Sequence, residues 1–430
     1  MSDMNSTGYT AMQTLIRLAV AGARKEDMSS VSVDWDKVFP LAAEQHIIPL
    51  VACALLYSPK LELPNQLRES MIEVMRAESS ENLIRRQRIM NLIQEMKMAG
   101  IDSKVIKGYA VSSCYAHPEC RGSMDTDLLI NIGQEKTAID FLENRDFRIS
   151  IRGATSHHSV CQHKKYGVIE LHVSLYAELV RDVWFADVTE NELVQEKNIK
   201  IADENGIFMT LGYTDHLIFL TLHMIKHFIL EGLTLRMMLD LALFFSKNKG
   251  SIDAGRYWRV MKKLHYEQLV SSVLWSMILY GGFVQADFPG IMPNTSEQIS
   301  AVLTDLLQGG YMGIKEKEAR YKSGMQYNRQ MLLKKGSQWK YMLFMIRWKI
   351  RGGLNALFPS VHELCRRYPS AKENVLLRPF VWYYHAFSFL MKNWYKMVPG
   401  RDIQWENSLS DDVVQKRVEL FEKLGMLNGK

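Results

Sequence analysis

"KGYAVSSCYAHPECRGSMDTDLLI", residues 107 to 130, is the stretch on which the reading of this chain turns. Near its end two aspartates, Asp125 and Asp127, flank Thr126 and run straight into Leu128, Leu129 and Ile130. Acidic side chains are poor company for a buried strand. Side chains on a strand alternate faces, so Asp125 and Asp127 share one face at its start, and Thr126 and Leu128 share the other. Two like charges so close repel, and each raises the pKa of the other unless a cation sits between them. A divalent ion resolves the repulsion, and hard oxygen ligands suit Mg²⁺ or Mn²⁺.

Two neighbouring features extend the pattern. In "IKGY", Ile106 to Tyr109, a strand ends, Gly108 lets the backbone turn and a helix begins. Backbone N–H groups at such a turn can hold a phosphate, and Lys107 adds a point charge. Alone, a strand–Gly–helix turn is usually only a turn. Further on, "GVIELHVSLY" sets Glu170 between Ile169 and Leu171, with His172 on the same face. A lone DxD is common by chance and reads first as a solvated strand edge. With an embedded glutamate in the same α/β unit and a glycine loop before it, metal chemistry becomes the better reading.

The rest of the chain frames this unit. Residues 8–98 show apolar spacing of three and four and read as helices, with Gly100 as the stop of the last one. From 101 the pattern becomes mixed: "SKVIK", "TDLLIN", "FRISIR", "HSVCQH" and "VIELHVSLY" read as strands, the last two joined by the turn "KKYG". "YAVSSCYA" and "EKTAIDFLENRDF" read as helices, so a small α/β unit around one sheet is expected. After about 205 the chain reads as helix again. "TDHLIFLTLHMIKHFILEG" has Thr214 or Asp215 as N-cap candidate, "TLRMMLDLALFFSKNKG" follows, and further helices run through 254–283 and 295–308. Residues 310–338, polar and rich in Lys, Gly and Gln, fit a loop or linker, and the charged last thirty residues fit one more helix. The expected organisation is a helical region 1–100, an α/β core 101–205, a helical domain 206–330 and a basic, aromatic-rich helical region 331–430.

The chain's 430 residues correspond to about three domain-sized units. Hydrophobic residues make up 47% and charged residues 23%, a globular balance that excludes a disordered chain. The net charge of +6 favours an anionic ligand without naming one. Five cysteines, an odd number without CxxC spacing, argue against a disulfide framework and for a reducing, cytoplasmic setting. No secretory pattern opens the chain. Its most apolar window, 217–230, is broken by His223, Lys226 and His227 and is shorter than a bilayer span, so no transmembrane segment is expected.

The order strand–Gly–helix, DxD on the next strand and a carboxylate on a later one resembles the DNA-polymerase-β-like nucleotidyltransferase superfamily. More closely, the chain resembles a group of uncharacterised bacterial nucleotidyltransferases with a "KG…R…DxDxL" core. The matching residues are Lys107-Gly108, Arg121, Asp125 to Ile130, "GVIELHVSL" around Glu170 and His172, "HLIFLTLHMIKHF…LRMMLDLALF", and "LFPSVHELCRRYPSAKENVLLRPFVW". The resemblance spans roughly residues 30 to 395. It implies an α+β fold in which a small mixed-sheet nucleotidyltransferase core is flanked by N- and C-terminal helical regions. It also implies a metal-dependent enzyme that moves an NMP from an NTP, such as ATP, to an acceptor hydroxyl. Asp125, Asp127 and Glu170 would hold two Mg²⁺ (or Mn²⁺) ions, with Glu170 also taking the proton. Lys107, Gly108, Tyr109 and Arg121 would meet the nucleotide's phosphates. The superfamily usually has Gly-Ser or Gly-Gly at the loop, whereas this chain has Gly108-Tyr109. The alternative is a catalytically degenerate nucleotide- or RNA-binding module of the same fold.

His216, His223 and His227 fall on one face of the 215–230 helix, and "HMIKH" has the spacing of a metal pair, yet no HExxH glutamate accompanies it. The favoured reading is a helix lining the cleft with hydrogen-bonded histidines, zinc being the minor alternative. His172, His223, His227 and Asp240 are therefore cleft-lining candidates, Asp240 through the resemblance. The acceptor, a small molecule, RNA or protein, is not specified by the sequence. Residues 331–400 hold twelve Lys or Arg against two Glu. The basic aromatic stretch 339–396 reads first as a helical subdomain with a cationic outer face, and secondarily as an RNA platform or an anionic membrane-surface contact.

Overall fold

The computed structural model describes residues 2–123, 125–151, 158–176, 184–185, 187–203, 206–334, 364, 368, 374–393 and 412–427. Most of the basic aromatic stretch 339–396 therefore lies outside the described residues. Four helices open the chain: α1 (Ser2–Arg24), α2 (Trp35–Glu44), α3 (Ile48–Tyr57) and α4 (Asn65–Met98). α3, "IPLVACALLY", is apolar along its length and buries every residue from Pro49 to Leu55. It crosses α1 so closely that a Cβ on Gly22 would stand 1.8 Å from the Leu50 carbonyl oxygen.

A five-stranded mixed sheet follows, built from β1 (Ser103–Ile106), β2 (Asp125–Ile130), β3 (Arg148–Ile151), β4 (His158–His163) and β5 (Gly167–His172). Helices α5 (Gly108–Ser112) and α6 (Glu135–Glu143) and a 3₁₀ turn (Pro118–Arg121) lie between them. The strand order is β1-β2-β5-β4-β3. β2 and β5 run parallel, with Asp127 opposite Glu170, and the other pairs are antiparallel. The alternation of each strand decides its faces. Leu128, Ile130, Ile169, Leu171 and Cys161 join Ile89, Met90 and Ile93 of α4 and Leu142 of α6 in one core. Asp125, Asp127, Glu170 and His172 are left to the other face. The fold is α+β, a mixed-sheet core with helical flanks.

The chain does not turn helical at about 205. A short helix α7 (Glu190–Leu193) leads to an antiparallel hairpin, β6 (Ile199–Asp203) and β7 (Gly206–Thr210). Its signal was in the sequence: alternating Ile199, Ile201, Ile207 and Met209 around "ENG", a turn tripeptide ending in Asn-Gly. Helices α8 (Tyr213–Leu230), α9 (Leu235–Asn248), α10 (Ala254–Lys263), α11 (Glu267–Gly281) and α12 (Ser296–Gly309) come next. α8 begins at Tyr213, one residue before Thr214, with Gly212 as its cap. The Asp215 carboxylate instead accepts from the Gln195 and Glu196 backbone and from Arg256. Buried residues of α1, α3, α8, α9, α11 and α12 form one continuous core.

Residues 310–334, expected as loop, are a 3₁₀ segment (Tyr311–Glu316) and an 18-residue helix, α13 (Lys317–Lys334). The buried side of α13 includes Arg320, Ser323, Tyr327 and Met331. A core-facing stripe made partly of arginine and serine carries no hydrophobic period, so pattern reading saw a linker. α14 (Arg378–Asn393) and α15 (Asp412–Lys423) complete the described chain. Among the described residues no helix is long and apolar enough to cross a membrane.

Candidate active site

β2 and β5 lie side by side, so their like-facing side chains converge. Donor atoms of Asp125, Asp127 and Glu170 lie within 4.8 Å of one another. They floor a cleft of about 430 Å³ whose further lining comes from α8 and α9. Asp127 is buried, while Asp125 and Glu170 are half-buried. Lys107 Nζ lies 2.5 Å from Asp127 Oδ1, and His172 Nε2 lies 2.9 Å from the same oxygen.

These contacts separate the three carboxyl groups electrostatically. Burial raises the Asp125 carboxyl above its ordinary value, and the charge of Asp127 adds to the effect. Burial pushes Asp127 in the same direction, but Lys107 and His172 overcome it and hold the carboxyl well below the usual range. Glu170 is likewise lowered: burial opposes ionisation most strongly, and the His172 hydrogen bond, Lys107 and His158 together outweigh it. Lys107 loses charge stability through burial and regains more from Asp127, so it stays protonated. Oxygen-rich, crowded and only partly neutralised by one ammonium, the trio has the donor chemistry of a hard divalent cation site.

Gly108 opens α5, but it is not the residue that turns. Lys107 takes the positive φ, 56°, and Gly108 is helical. What Gly108 supplies is room, since a Cβ there would sit 3.1 Å from Ser123 Oγ. Tyr109 is buried in the core between sheet and α4 and does not line the cleft. Arg121, expected near phosphate, is buried in a bidentate pair with Asp240, Nε–Oδ1 2.8 Å and Nη2–Oδ2 2.6 Å. Tyr115 donates its hydroxyl to the same carboxylate at 2.7 Å. Asp240 therefore meets Arg121 and Tyr115 at the wall of the cleft.

His223 and His227 line the cleft, joined Nε2 to Nε2 at 3.1 Å, and His227 Nδ1 meets Glu231 Oε2 at 2.6 Å. Burial holds both imidazoles neutral. Among the described residues they join no third metal-holding group. His216 sits away from the cleft, fully buried against Phe244 and 3.3 Å from Thr210 Oγ1. Among the cleft residues that escaped the sequence reading are Lys226, Arg236 and His158. Lys226 sits between the two singled-out histidines on α8, and Arg236 donates to the Tyr311 hydroxyl at 2.7 Å. His158 was legible in principle, because counting outward from the turn "KKYG" pairs it with His172.

A larger cavity of about 560 Å³ lies among α12, α13 and α15. Its innermost charges, Asp305 with Arg320 and Arg417, satisfy one another, so the smaller cleft with its three carboxylates and one paired ammonium is the candidate.

A family model described as "Uncharacterised nucleotidyltransferase" matches residues 31–279, more than half of the chain and all seven strands among the described residues. No curated protein matches significantly. Among solved structures, the chain is similar to an antigenic nucleotidyltransferase-like protein from Paracoccidioides brasiliensis. The identity is 13% and the TM-score 0.29, over 45% of this chain and 93% of that one.

Proposed function

The chain belongs to the uncharacterised nucleotidyltransferase family, and from that premise we propose that it transfers an NMP from an NTP to an acceptor hydroxyl, releasing pyrophosphate. One observation carries the proposal: three carboxylates from adjacent strands meet within 4.8 Å at the floor of a cleft whose helical side presents Lys226 and Arg236. Asp125, Asp127 and Glu170 are the residues to hold a pair of Mg²⁺ or Mn²⁺ ions. When bound, such ions neutralise a triphosphate and lower the pKa of a hydroxyl beside them.

The protein's own groups supply the rest. Lys226 carries no ion-pair partner among the described residues, and burial together with Lys107 lowers its pKa, so an arriving phosphate restores its charge balance. Arg236, anchored by Tyr311, is the second cation for the phosphates. The acceptor oxygen attacks the α-phosphorus, the bond to pyrophosphate breaks, and Glu170, ionised at neutral pH, takes the hydroxyl proton. Positioning and charge neutralisation then account for most of the acceleration.

Mg²⁺-dependent pyrophosphate release from each NTP, with and without cell extract, tests the reading. Asp125→Asn and Asp127→Asn are expected to abolish extract-dependent release while circular dichroism stays native. Full activity in both variants would remove the metal assignment. A second reading, nucleotide binding without turnover, is favoured by one contact: the Lys107 ammonium sits on Asp127 where a cation would sit. Nucleotide binding in the absence of pyrophosphate release under every condition would select it.

A further inference from the structure

We propose that a second cation site adjoins the carboxylate trio, in which His158, Glu170 and His172 take a borderline transition-metal ion of the zinc class. The β4–β5 hairpin sets His158 directly opposite His172, and Glu170 precedes His172 by two residues on the same face. One donor atom from each of the three lies within 4.8 Å of the others. His158 Nε2 stands 3.8 Å from Glu170 Oε1, and His172 Nε2 stands 3.5 Å from Glu170 Oε2. Donors about 2.1 Å from a tetrahedral ion are separated by about 3.4 Å, so each histidine already stands close to that spacing from one oxygen of Glu170, and side-chain rotation within the 4.8 Å cluster closes the rest.

The donor set differs in kind from its neighbour. Asp125 and Asp127 offer oxygen alone, which suits Mg²⁺ or Mn²⁺. Two imidazoles and a carboxylate suit Zn²⁺ and its spectroscopic stand-in Co²⁺. His172 Nε2 is also 2.9 Å from Asp127 Oδ1, a contact an ion would replace. Because Glu170 belongs to both groups, occupancy by a zinc-class ion draws it away from the aspartates. That consequence rests on the nucleotidyl-transfer reading, whereas the binding itself does not.

The test is titration of full-length, metal-free protein with Co²⁺ alone, following visible ligand-field absorption, then displacement by Zn²⁺. The expected result is an intense low-coordinate band in the wild type and in Asp125→Asn, lost to one equivalent of Zn²⁺. His158→Gln, checked for native circular dichroism, should bind at least about tenfold more weakly, the order lost even when an outer-shell partner of a metal is removed. X-ray absorption on the zinc-loaded wild type, which needs no variant, should show two imidazole ligands. An all-oxygen shell, or a band that survives His158→Gln and vanishes in Asp125→Asn, overturns the proposal. No nucleotide enters the measurement, so its failure leaves the transferase reading standing, and absence of turnover leaves this site standing.

Discussion

Lys107 stands at φ 56° and ψ −141°, a region that residues with a side chain rarely adopt, at a cost on the order of 1–3 kcal/mol. Its ammonium lies 2.5 Å from Asp127, with the two side chains 13% and 3% exposed. Stripping one partner from a buried pair costs about 3–5 kcal/mol, so the ion pair outweighs the strain. Lys107→Ala, which keeps the Cβ and loses the charge, is therefore expected to lower the unfolding free energy by about 3–5 kcal/mol. Lys107→Gly should lose less, because relief of about 1–3 kcal/mol exceeds the ~0.4–1 kcal/mol that glycine gives up to freedom in the unfolded chain. Urea denaturation of both variants measures the difference, and equal losses would show that the strain is not real. Mg²⁺ should restore the alanine variant more than it stabilises the wild type, since Asp127 then has no competing cation. At this scale the alternation of a strand made the shared face of Asp125 and Asp127 legible. Residue type does not encode a dihedral angle, so the turn was assigned to Gly108 although Lys107 makes it.

Elements were legible where their period was clean and were missed where it was short or polar. The strands of the main sheet follow alternation, and the turn "KKYG" fixes the register that sets His158 against His172. The β6–β7 hairpin, two five-residue strands, has its alternation and Asn-Gly turn but is overshadowed by the apolar α8 that follows. α13 buries arginine and serine, which no hydrophobic pattern reports. Arg121 lines the cleft, but its carboxylate partner lies 119 residues away on α9, and no local spacing announces such a pair. The bidentate contact ties the 3₁₀ turn before β2 to the helical side of the cleft. Asp240→Asn is expected to destabilise by about 3–5 kcal/mol, since it leaves a buried guanidinium without its counter-charge. Arg121→Met with Asp240→Leu, in a Tyr115→Phe background that removes the hydroxyl Asp240 also accepts from, should cost less than that single change. Chemical denaturation separates the cases. The combined variant also reports on phosphate: an unchanged NTP KM assigns Arg121 to the fold, and a KM raised tenfold or more returns it to the nucleotide.

Across the whole molecule, the end of the chain is fastened to the helical side of the cleft by a buried charge cluster. Arg417 of α15 and Arg320 of α13 both bind the Asp305 carboxylate of α12, and Arg417 also donates to the Phe228 carbonyl of α8 at 2.6 Å and to Ser323 Oγ at 3.0 Å. The sequence showed a charged terminal helix, but a partner 112 residues away is not legible from charge pattern. Two buried arginines share this carboxylate, and Glu316 reaches only Arg320, at 3.4 Å, so loss of Asp305 would leave Arg417 without a counter-charge beside a second guanidinium. Burial disfavours ionised Asp305, yet Arg417 and Arg320 more than reverse this, and its pKa falls below the ordinary aspartate value. The sign of the linkage follows: a carboxyl with a depressed folded pKa stabilises fully above its unfolded value, near 3.9, and loses that contribution as pH falls through the folded one. Asp305→Asn should therefore unfold about 3–5 kcal/mol more easily at pH 7. The gap between wild type and variant should hold constant down to about pH 4 and narrow below it. Denaturant midpoints from pH 7 to pH 2 test this. A gap that widens on acidification, or one already closing between pH 7 and pH 5, would mean that Asp305 is not the carboxylate fastening α15 to the body of the protein.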